Sequence, residues 1–447
     1  MSSAAALLPP GASYASVTRT IADPVLERPA GRGWWIAFLA GLALTALMLA
    51  VLFWLFFEGI GIFGNNTSVV WAFPIANYVW WIGIGNAGTL ISCMLLLTRQ
   101  KWRSSVNRFA EAMTLFAAAI AGLFPILHLG RPYYAYWLAP YPNTMGAWPQ
   151  WKSPLVWDFF AILSYLIFSA LFWYTGAIPD FATLRDRATT RRAQVFYGVL
   201  ALGWRGSARH WRRYDSFYRT MAALGVPLVC SVHSVVGMDF AAGAMPGWAE
   251  SIFPPYFVVG AMFSGFAMVV VLAVAVRAYL RDTGLVTLAH LDAMAKILLA
   301  GSIVMGLSYG TENYQAWILG DEAERTLAAF EFTGAYAPLY WLQLATTVLV
   351  PQLFWWPAAR RSVPALLLVA VAINVGMYLE RILLIINTLS RSHLPSMWRT
   401  YAPTVWDWLL LLGSLGFFVL LFACFLRLMP SVSMHEMRQL VAEGDAR

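Results

Sequence analysis

Charge is what this chain of 447 residues has least of: Asp, Glu, Lys and Arg make up 12% of it, against about 25% in soluble domains. With 60% hydrophobic residues, that shortage excludes an ordinary soluble globule. Cysteine is scarcer still. Cys93, Cys230 and Cys424 stand singly inside apolar stretches. None belongs to a CxxC or CxxCH pattern, so the chain itself is expected to bind no iron–sulfur cluster and no haem of the c type. The three thiols read as buried packing groups. No basic stretch is interleaved with aromatics on a soluble segment, which argues against a nucleic-acid partner. Residues 1–33 hold no short apolar core before Trp34, so no secretory leader is expected there.

What the chain does have is long apolar runs. About ten are present, at roughly 34–57, 71–98, 106–128, 154–177, 219–240, 254–280, 290–319, 334–356, 363–388 and 404–429. Each is long enough to cross a hydrocarbon core of about 30 Å as a helix. Uninterrupted runs exclude the alternating pattern of a barrel, and in lipid the backbone must satisfy its own hydrogen bonds. The expected fold class is therefore all-α, a polytopic membrane protein. Residues 1–33 read as a cytoplasmic tail that orders only against a partner, 34–430 as the membrane domain, and 431–447 as a second tail, a short amphipathic helix.

Orientation follows from the basic residues. One side collects Arg99, Lys101, Arg103 and Arg108, the eight arginines from Arg185 to Arg213, and Arg277, Arg281, Arg360 and Arg361. The opposite loops hold only Arg131, Lys152, Arg325, Arg391 and Arg399. The positive-inside rule puts the first side and both termini in the cytoplasm. The net charge of +8 is a topology signal.

On that topology four ionisable residues lie near the outer ends of three spans: His128, Asp158, His233 and Asp239. A charge at membrane depth costs roughly 2.5–3.5 kcal/mol on the mildest scale, so such residues are rare and tend to be functional. The loop from Leu129 to Ser153, with Arg131, four prolines and several aromatics, reads as a rigid cover over them. His233 and Asp239 share a helix, but six residues mean about 240° of rotation and a rise of about 9 Å, so they occupy different faces. Two imidazoles and two carboxylates suit the two-electron, two-proton oxidation of a quinol, whose ring hydroxyls must be held and deprotonated as electrons leave. Aromatic neighbours such as Phe124, Trp157, Phe159 and Phe240 suit an isoprenoid quinone, though aromatics also fill any membrane core. Two histidines on different helices are also the pattern of one b-type haem, with no second pair for another, and helix-end residues wetted by water are the plainest alternative.

A second polar set lies deeper. Tyr309, Glu312 and Gln315 recur on the seventh span; Asn374, Tyr378 and Arg381 share a stripe of the ninth, beside Glu380. These read either as an ion pair of Arg381 with Glu312 or Glu380, or as a proton path through Glu312, Glu380, Arg381 and Tyr378. Gly83-Ile-Gly85-Asn-Ala-Gly88 matches a dinucleotide fingerprint by letter, but it has no preceding strand and reads as a close-packing surface. Pro154-Leu-Val-Trp157-Asp158 is echoed by Pro403-Thr-Val-Trp406-Asp407, a faint sign of duplication.

Several of these residues also carry a resemblance. Asn107-Arg-Phe-Ala-Glu-Ala-Met113, His128-Leu-Gly-Arg-Pro132, Pro140-Tyr-Pro-Asn143, Ser153-Pro-Leu-Val-Trp-Asp158, Ser231-Val-His-Ser234 with Asp239-Phe240, and Ile252-Phe-Pro-Pro-Tyr-Phe257 run in that order. Together they resemble the NrfD/polysulfide-reductase family of quinone-reactive membrane subunits, and within it the ActC type of alternative complex III, over residues 34–430. The resemblance implies two four-helix bundles plus peripheral helices, with no metal or haem bound by this chain. It implies menaquinol or ubiquinol as substrate and residence in the bacterial inner membrane. The implied partners are a periplasmic iron–sulfur subunit, multihaem cytochrome c subunits and a paralogous membrane subunit, amid lipid. His128 and Asp158 are implied as quinol ligands, with Asp239, Arg131, His233 and Trp157 beside them. Retention of the His128/Asp158 pair argues against the paralogous subunit with its poorer site. The sequence departs from the family pattern where Asn86 stands, and at Ala249 after Trp248; histidine is common at both. Neither residue titrates, so no relay is carried through them. The rival readings are a quinone-reactive subunit of a sulfur or molybdenum enzyme, an ion-coupled transporter built on Glu312, Glu380 and Arg381, and an anchor with no redox role.

Overall fold

The computed structural model describes residues 8, 11–139, 146, 148–281 and 284–445; Pro140–Asn143 lies outside them. Among the described residues sixteen α-helices follow in chain order. The N-terminal half holds α1 (Tyr14–Leu26), α2 (Arg32–Glu58), α3 (Phe73–Leu97), α4 (Asn107–Ala121) and its continuation α5 (Leu123–His128), α6 (Pro154–Arg187), α7 (Arg191–Leu200) and α8 (Ala208–Ala241). Then come α9 (Phe253–Leu280), α10 (Leu288–Tyr314), α11 (Glu322–Thr333), α12 (Ala337–Leu344), α13 (Pro357–Arg360), α14 (Val363–Ser390), α15 (Val405–Leu428) and α16 (Met434–Asp445). No strand occurs among the described residues, and nine of the helical rods there are long and apolar enough to cross a membrane. Four of them, α3, α6, α9 and α14, open with proline in the first turn, where a missing N–H costs nothing.

The expected eighth span is not a regular helix. After α12 the rod passes through a π turn, Ala345–Leu349, and a 3-10 turn, Val350–Trp355. Pro351 is the cause: it has no N–H for the Thr347 carbonyl and its ring crowds that oxygen. Gln352 braces the break, its amide donating to Val348 O at 2.7 Å and Ser302 Oγ at 3.0 Å.

Helices α3, α4–α5, α6 and α8 form one four-helix bundle; α9, α10, the α12 rod and α14 form a second. The bundles join along α3 and α9, and α2 pairs with α15 outside, against α4. At the centre is α3, buried from Phe73 to Cys93 except at Ile75. Its glycines permit this. A Cβ on Gly88 would lie 2.0 Å from Ala110 O, and one on Gly265 of α9 would lie 1.9 Å from the Ala87 Cβ. The Gly83–Gly88 run is thus a packing surface, as its context predicts. Thr114 Oγ1 and Tyr165 OH both donate to Gly85 O at 2.7 Å, stitching three helices of the first bundle.

The end carrying the termini is closed by buried ion pairs. Arg103 reaches Glu436 at 2.7 Å and Arg108 reaches Asp180 at 3.0 Å. Burial pushes the Glu436 carboxyl up, but Arg103, with His435 and Arg108 behind it, more than offsets this and holds it below its ordinary value. The N-terminal segment orders against its own chain: α1 packs on α16, Arg438 donates to Thr18 Oγ1 at 2.7 Å, and Arg427 donates to Arg28 O at 2.6 Å. The basic region after the fourth span is helical, filled by the end of α6, α7 and the start of α8.

At the opposite, far end, α11 lies across the second bundle. Asn387 Nδ2 donates to Glu331 Oε1 at 3.1 Å and Gly247 N donates to Glu324 at 3.0 Å. Burial pushes the Glu331 carboxyl up from 4.5 to about 7, even with the Asn387 bond pulling it down.

Two expectations follow from the packing. Gly88→Ala should cost about 1–3 kcal/mol by overpacking, read as a lower thermal midpoint in detergent, while Gly33→Ala, with open space at its Cβ, should leave the midpoint unchanged. A carboxyl raised in the folded state binds its proton more tightly there than when unfolded, so it stabilises below 4.5 and that contribution fades as pH climbs to about 7. The thermal midpoint should therefore fall across that window, and Glu331→Gln should flatten the fall.

Candidate functional site

The far end of the first bundle holds a cavity of about 470 Å³. Its wall is mostly aliphatic and aromatic, with Trp71, Ile75, Val79, Ile126, Phe159, Ile162, Leu166 and Phe240 among the lining. Four polar side chains converge on it: Tyr78, His128, Asp158 and Asp239. Each arrives from a different helix, and each for a local reason.

His128 is the last residue of α5. Pro125 leaves the Ala121 carbonyl without its N–H, so α4 stops at Ala121 and the chain restarts beyond Gly122 as a separate turn. That offset carries His128 to the cavity wall, edge-on to Trp71 at 6.4 Å. Asp158 stands one turn into α6, four residues after Pro154, and is buried at 7% exposure. Its Oδ2 accepts a hydrogen bond from Tyr78 OH, while Oδ1 is buried without a protein partner. Asp239 Oδ1 and His128 Nδ1 are likewise buried and unpartnered. Three orphaned acceptor or donor atoms thus border one apolar chamber. Protein interiors rarely leave such atoms unpaired, since each costs about 1–3 kcal/mol. The 3-10 helix Pro132–Leu138 covers the chamber through Ala135 and Leu138. Leu155 and Leu163 line it while 55% and 46% exposed, so the apolar wall continues onto the outer surface of the bundle there.

Of the candidate residues, the structure brings together His128, Asp158 and Asp239. His233 lies deeper on α8, buried, with Nδ1 against the Asn86 amide and Nε2 unpartnered facing the region of Gly83 and Ser264. The rotation between His233 and Asp239 has put them on different faces, so the two histidines do not flank one space. Arg131 is exposed at the start of the cover helix, outside the cavity lining. Trp157 also lies outside it; its indole donates to Trp151 O at 2.7 Å and holds the cover loop to α6. Phe124 is buried behind the wall, whereas Phe159 and Phe240 line it.

Tyr78 is the residue that sequence reasoning missed. A signal was present. Tyr78 follows Pro74 by four residues, as Asp158 follows Pro154, and both prolines open helices at the far end. Equal offsets put the two side chains at equal depth. The echo at Pro403–Asp407 has a different register: Asp407 is the third residue of α15, and its Oδ2 accepts from Thr404 N at 2.8 Å and Gly64 N at 2.9 Å. Two residues of shift turn the same motif from a cavity carboxylate into a helix cap.

The deeper set is divided among three places. Glu380 Oε1 accepts from Arg381 Nη1 at 3.1 Å and from Tyr256 OH, and Arg381 lies 4.1 Å from the Phe257 ring centroid. Arg381 thus pairs with its neighbour Glu380. Tyr378 packs edge-on against Trp80 at 5.6 Å, its hydroxyl unpartnered. Glu312 lines a small cleft under α11 with Glu250, Glu324 and Glu331. No direct hydrogen bond joins Glu312 to Glu380 or Tyr378 among the described residues.

Comparison with known proteins bears on this arrangement. A family model described as "Polysulphide reductase, NrfD" matches residues 61–391. The chain is 25% identical over 281 residues to a protein of Halobacterium salinarum provisionally described as a membrane subunit of dimethyl sulfoxide reductase, covering 61% of this chain and 58% of that one. It is 24% identical over 223 residues to a selenate reductase subunit from Mesobacillus selenatarsenatis, covering 48% and 50%. The matched stretches thus span only about half the length of these relatives.

Proposed function

Because the chain belongs to the polysulphide reductase NrfD family, we propose that it is the membrane subunit of an oxidoreductase complex and that the far-end cavity is where a quinol is oxidised. The observation that carries this reading is the convergence of Tyr78, His128, Asp158 and Asp239 on one apolar chamber beside the lipid. A quinol ring is flat, apolar and bears two hydroxyls. The aliphatic wall suits the ring, and the orphaned His128 and Asp158 atoms suit the hydroxyls.

Oxidation releases two electrons and two protons, leaving the quinone. His128 accepts a hydrogen bond from one ring hydroxyl and takes its proton as an electron leaves. Asp158 does the same for the other through Oδ1, the oxygen that Tyr78 leaves free. Tyr78 is a positioning residue: by donating to Oδ2 it sets the carboxylate's orientation. Asp239, at the same wall, passes protons to water at the far end. The positive-inside distribution makes that end periplasmic, so both termini are cytoplasmic and the protons leave on the outer face. The electrons leave to an iron–sulfur partner docked outside.

Two complexes fit such a subunit. The ActC-like motifs favour alternative complex III, where electrons continue through multihaem cytochromes beside a paralogous membrane subunit. The names of the relatives favour a reductase of the dimethyl sulfoxide or selenate type. Partners purified with the tagged chain separate them: covalent haem absorbance supports the first, bound molybdenum the second.

The site assignment is tested by quinol-dependent turnover of the native complex at equal assembly. His128→Ala and Asp158→Asn should each lower turnover by about 10²–10⁴-fold, the range of a lost general base. Tyr78→Phe should cost about tenfold, the value of a hydrogen bond to a charged group, and shift the pH profile while reduction by dithionite stays normal. Unchanged turnover in His128→Ala would sink the assignment.

A further inference from the structure

Helix α7 leaves an apolar face open at the end of the molecule that carries the termini. Its inner side packs on α6, with Tyr197 5% exposed and its ring 6.5 Å from that of Phe181. The outer side gathers Arg191, Arg192, Val195, Phe196 and Val199, which fall on one half of a helix of 3.6 residues per turn. Val199, and Leu202 in the turn that follows, are 69% and 68% exposed. Along this face the two arginines occupy the first turn and only apolar side chains come after them. Exposed apolar patches of this kind mark contact with a partner or a membrane.

Bonds to its neighbours fix the depth of this helix. α7 doubles back along α6: near its start Gln194 Nε2 donates to Ala188 O at 3.0 Å, just past the end of α6. At its end Leu200 O accepts from Tyr174 OH at 2.8 Å, within the fourth span. Between them Tyr197 OH donates to the carbonyl of Leu428, the last residue of α15, at 3.0 Å. The 24 residues of α15 make a rod about 36 Å long against a hydrocarbon core of about 30 Å, so Leu428 lies at the inner boundary. Val199 and Leu202 are therefore on the membrane side of that boundary. Arg191 and Arg192 are on its water side, about 8–9 Å along the axis from Tyr197. An arginine stem spans that distance back to the headgroup layer.

The charge on this face is not balanced within the chain. α7 holds no carboxylate, and the acids at the end of α6 and on α1 are already taken, Asp186 by Arg185 at 2.8 Å and Asp23 by Arg187 at 3.5 Å. Neither Arg191 nor Arg192 has a partner among the described residues. From the water inward the face reads cation and then apolar side chain, which is the order of a lipid monolayer, phosphate and then acyl chain. We propose that α7 enters the cytoplasmic leaflet by its apolar end and that Arg191 and Arg192 hold anionic phospholipid headgroups there. Basic residues at the cytoplasmic surface attract anionic lipid, and the apolar end adds binding through the area it buries. This surface lies at the opposite end of the molecule from the quinol cavity, so the inference stands apart from that reading.

The test uses the purified native complex with benzoylphenylalanine in place of Val199 or of Leu202, reconstituted in vesicles of equal parts phosphatidylglycerol and phosphatidylcholine. After illumination, the masses of the labelled peptides identify what each position touches. Both positions should carry phospholipid, with phosphatidylglycerol in excess. Arg191→Gln with Arg192→Gln should cut the ratio of phosphatidylglycerol to phosphatidylcholine adducts about thirty-fold, a factor of about five for each charge removed near a headgroup. Arg191→Gln alone should cut it about fivefold. Quinol turnover should stay unchanged in both variants, which guards against misfolding. Adducts with another subunit at both positions overturn the proposal by making this face a protein interface. Absence of lipid adducts at both positions overturns it too, as does an unchanged ratio in the double variant.

Discussion

Close approach to α3 is the constraint on which the rest of the molecule depends. In lipid there is no hydrophobic pressure between helices, so association rests on packing and on internal hydrogen bonds. Gly88 and Gly265 let α4 and α9 come to distances that any side chain would forbid. With α3 enclosed by both bundles, the hydroxyl of Tyr78 has no water to turn to and meets Asp158 instead. The carboxylate's orientation at the cavity is thus a consequence of glycine placement several turns away along the same helix.

The two ends of the first bundle treat polarity in opposite ways. At the termini end, Arg103, Arg108, Glu111, Asp180 and Glu436 are linked to one another by ion pairs and tied by α16, so the cluster holds the fold. At the far end, His128, Asp158 and Asp239 present buried atoms that the protein itself does not pair. An unpaired buried polar atom lowers stability, and three around one apolar chamber form a cost that a bound polar substrate would relieve. The shape of the cost matches the chemistry proposed: two hydroxyl groups on a flat apolar ring.

Much of this was legible in the sequence, for identifiable reasons. Apolar run length located the spans, but Pro125 broke the third and Pro351 made the eighth irregular, because a hydropathy run does not register a missing N–H. The shared depth of His128, Asp158 and Asp239 followed from topology, since each lies near the same end of its span. Rotation about a helix axis was harder. The 240° between His233 and Asp239 on an ideal helix of 3.6 residues per turn separated their faces, but nothing in the letters said which face meets the cavity. Tyr78 was overlooked because a tyrosine in an aromatic-rich helix looks like packing until its depth is counted from Pro74. Pairing in the second bundle could not be chosen either: whether Arg381 reaches Glu312 or Glu380 depends on packing angles between α9, α10 and α14, and sequence spacing does not encode them.

The central claim, that a quinol occupies the far-end cavity, is tested most directly by photolabelling. The native complex would be illuminated with an azido-quinone analogue, with and without excess quinol, and the labelled peptides sequenced. The account predicts quinol-protected label on the segments that line the chamber, 122–129 and 155–166. Label confined to the second bundle, or label on those segments that excess quinol does not suppress, would contradict it.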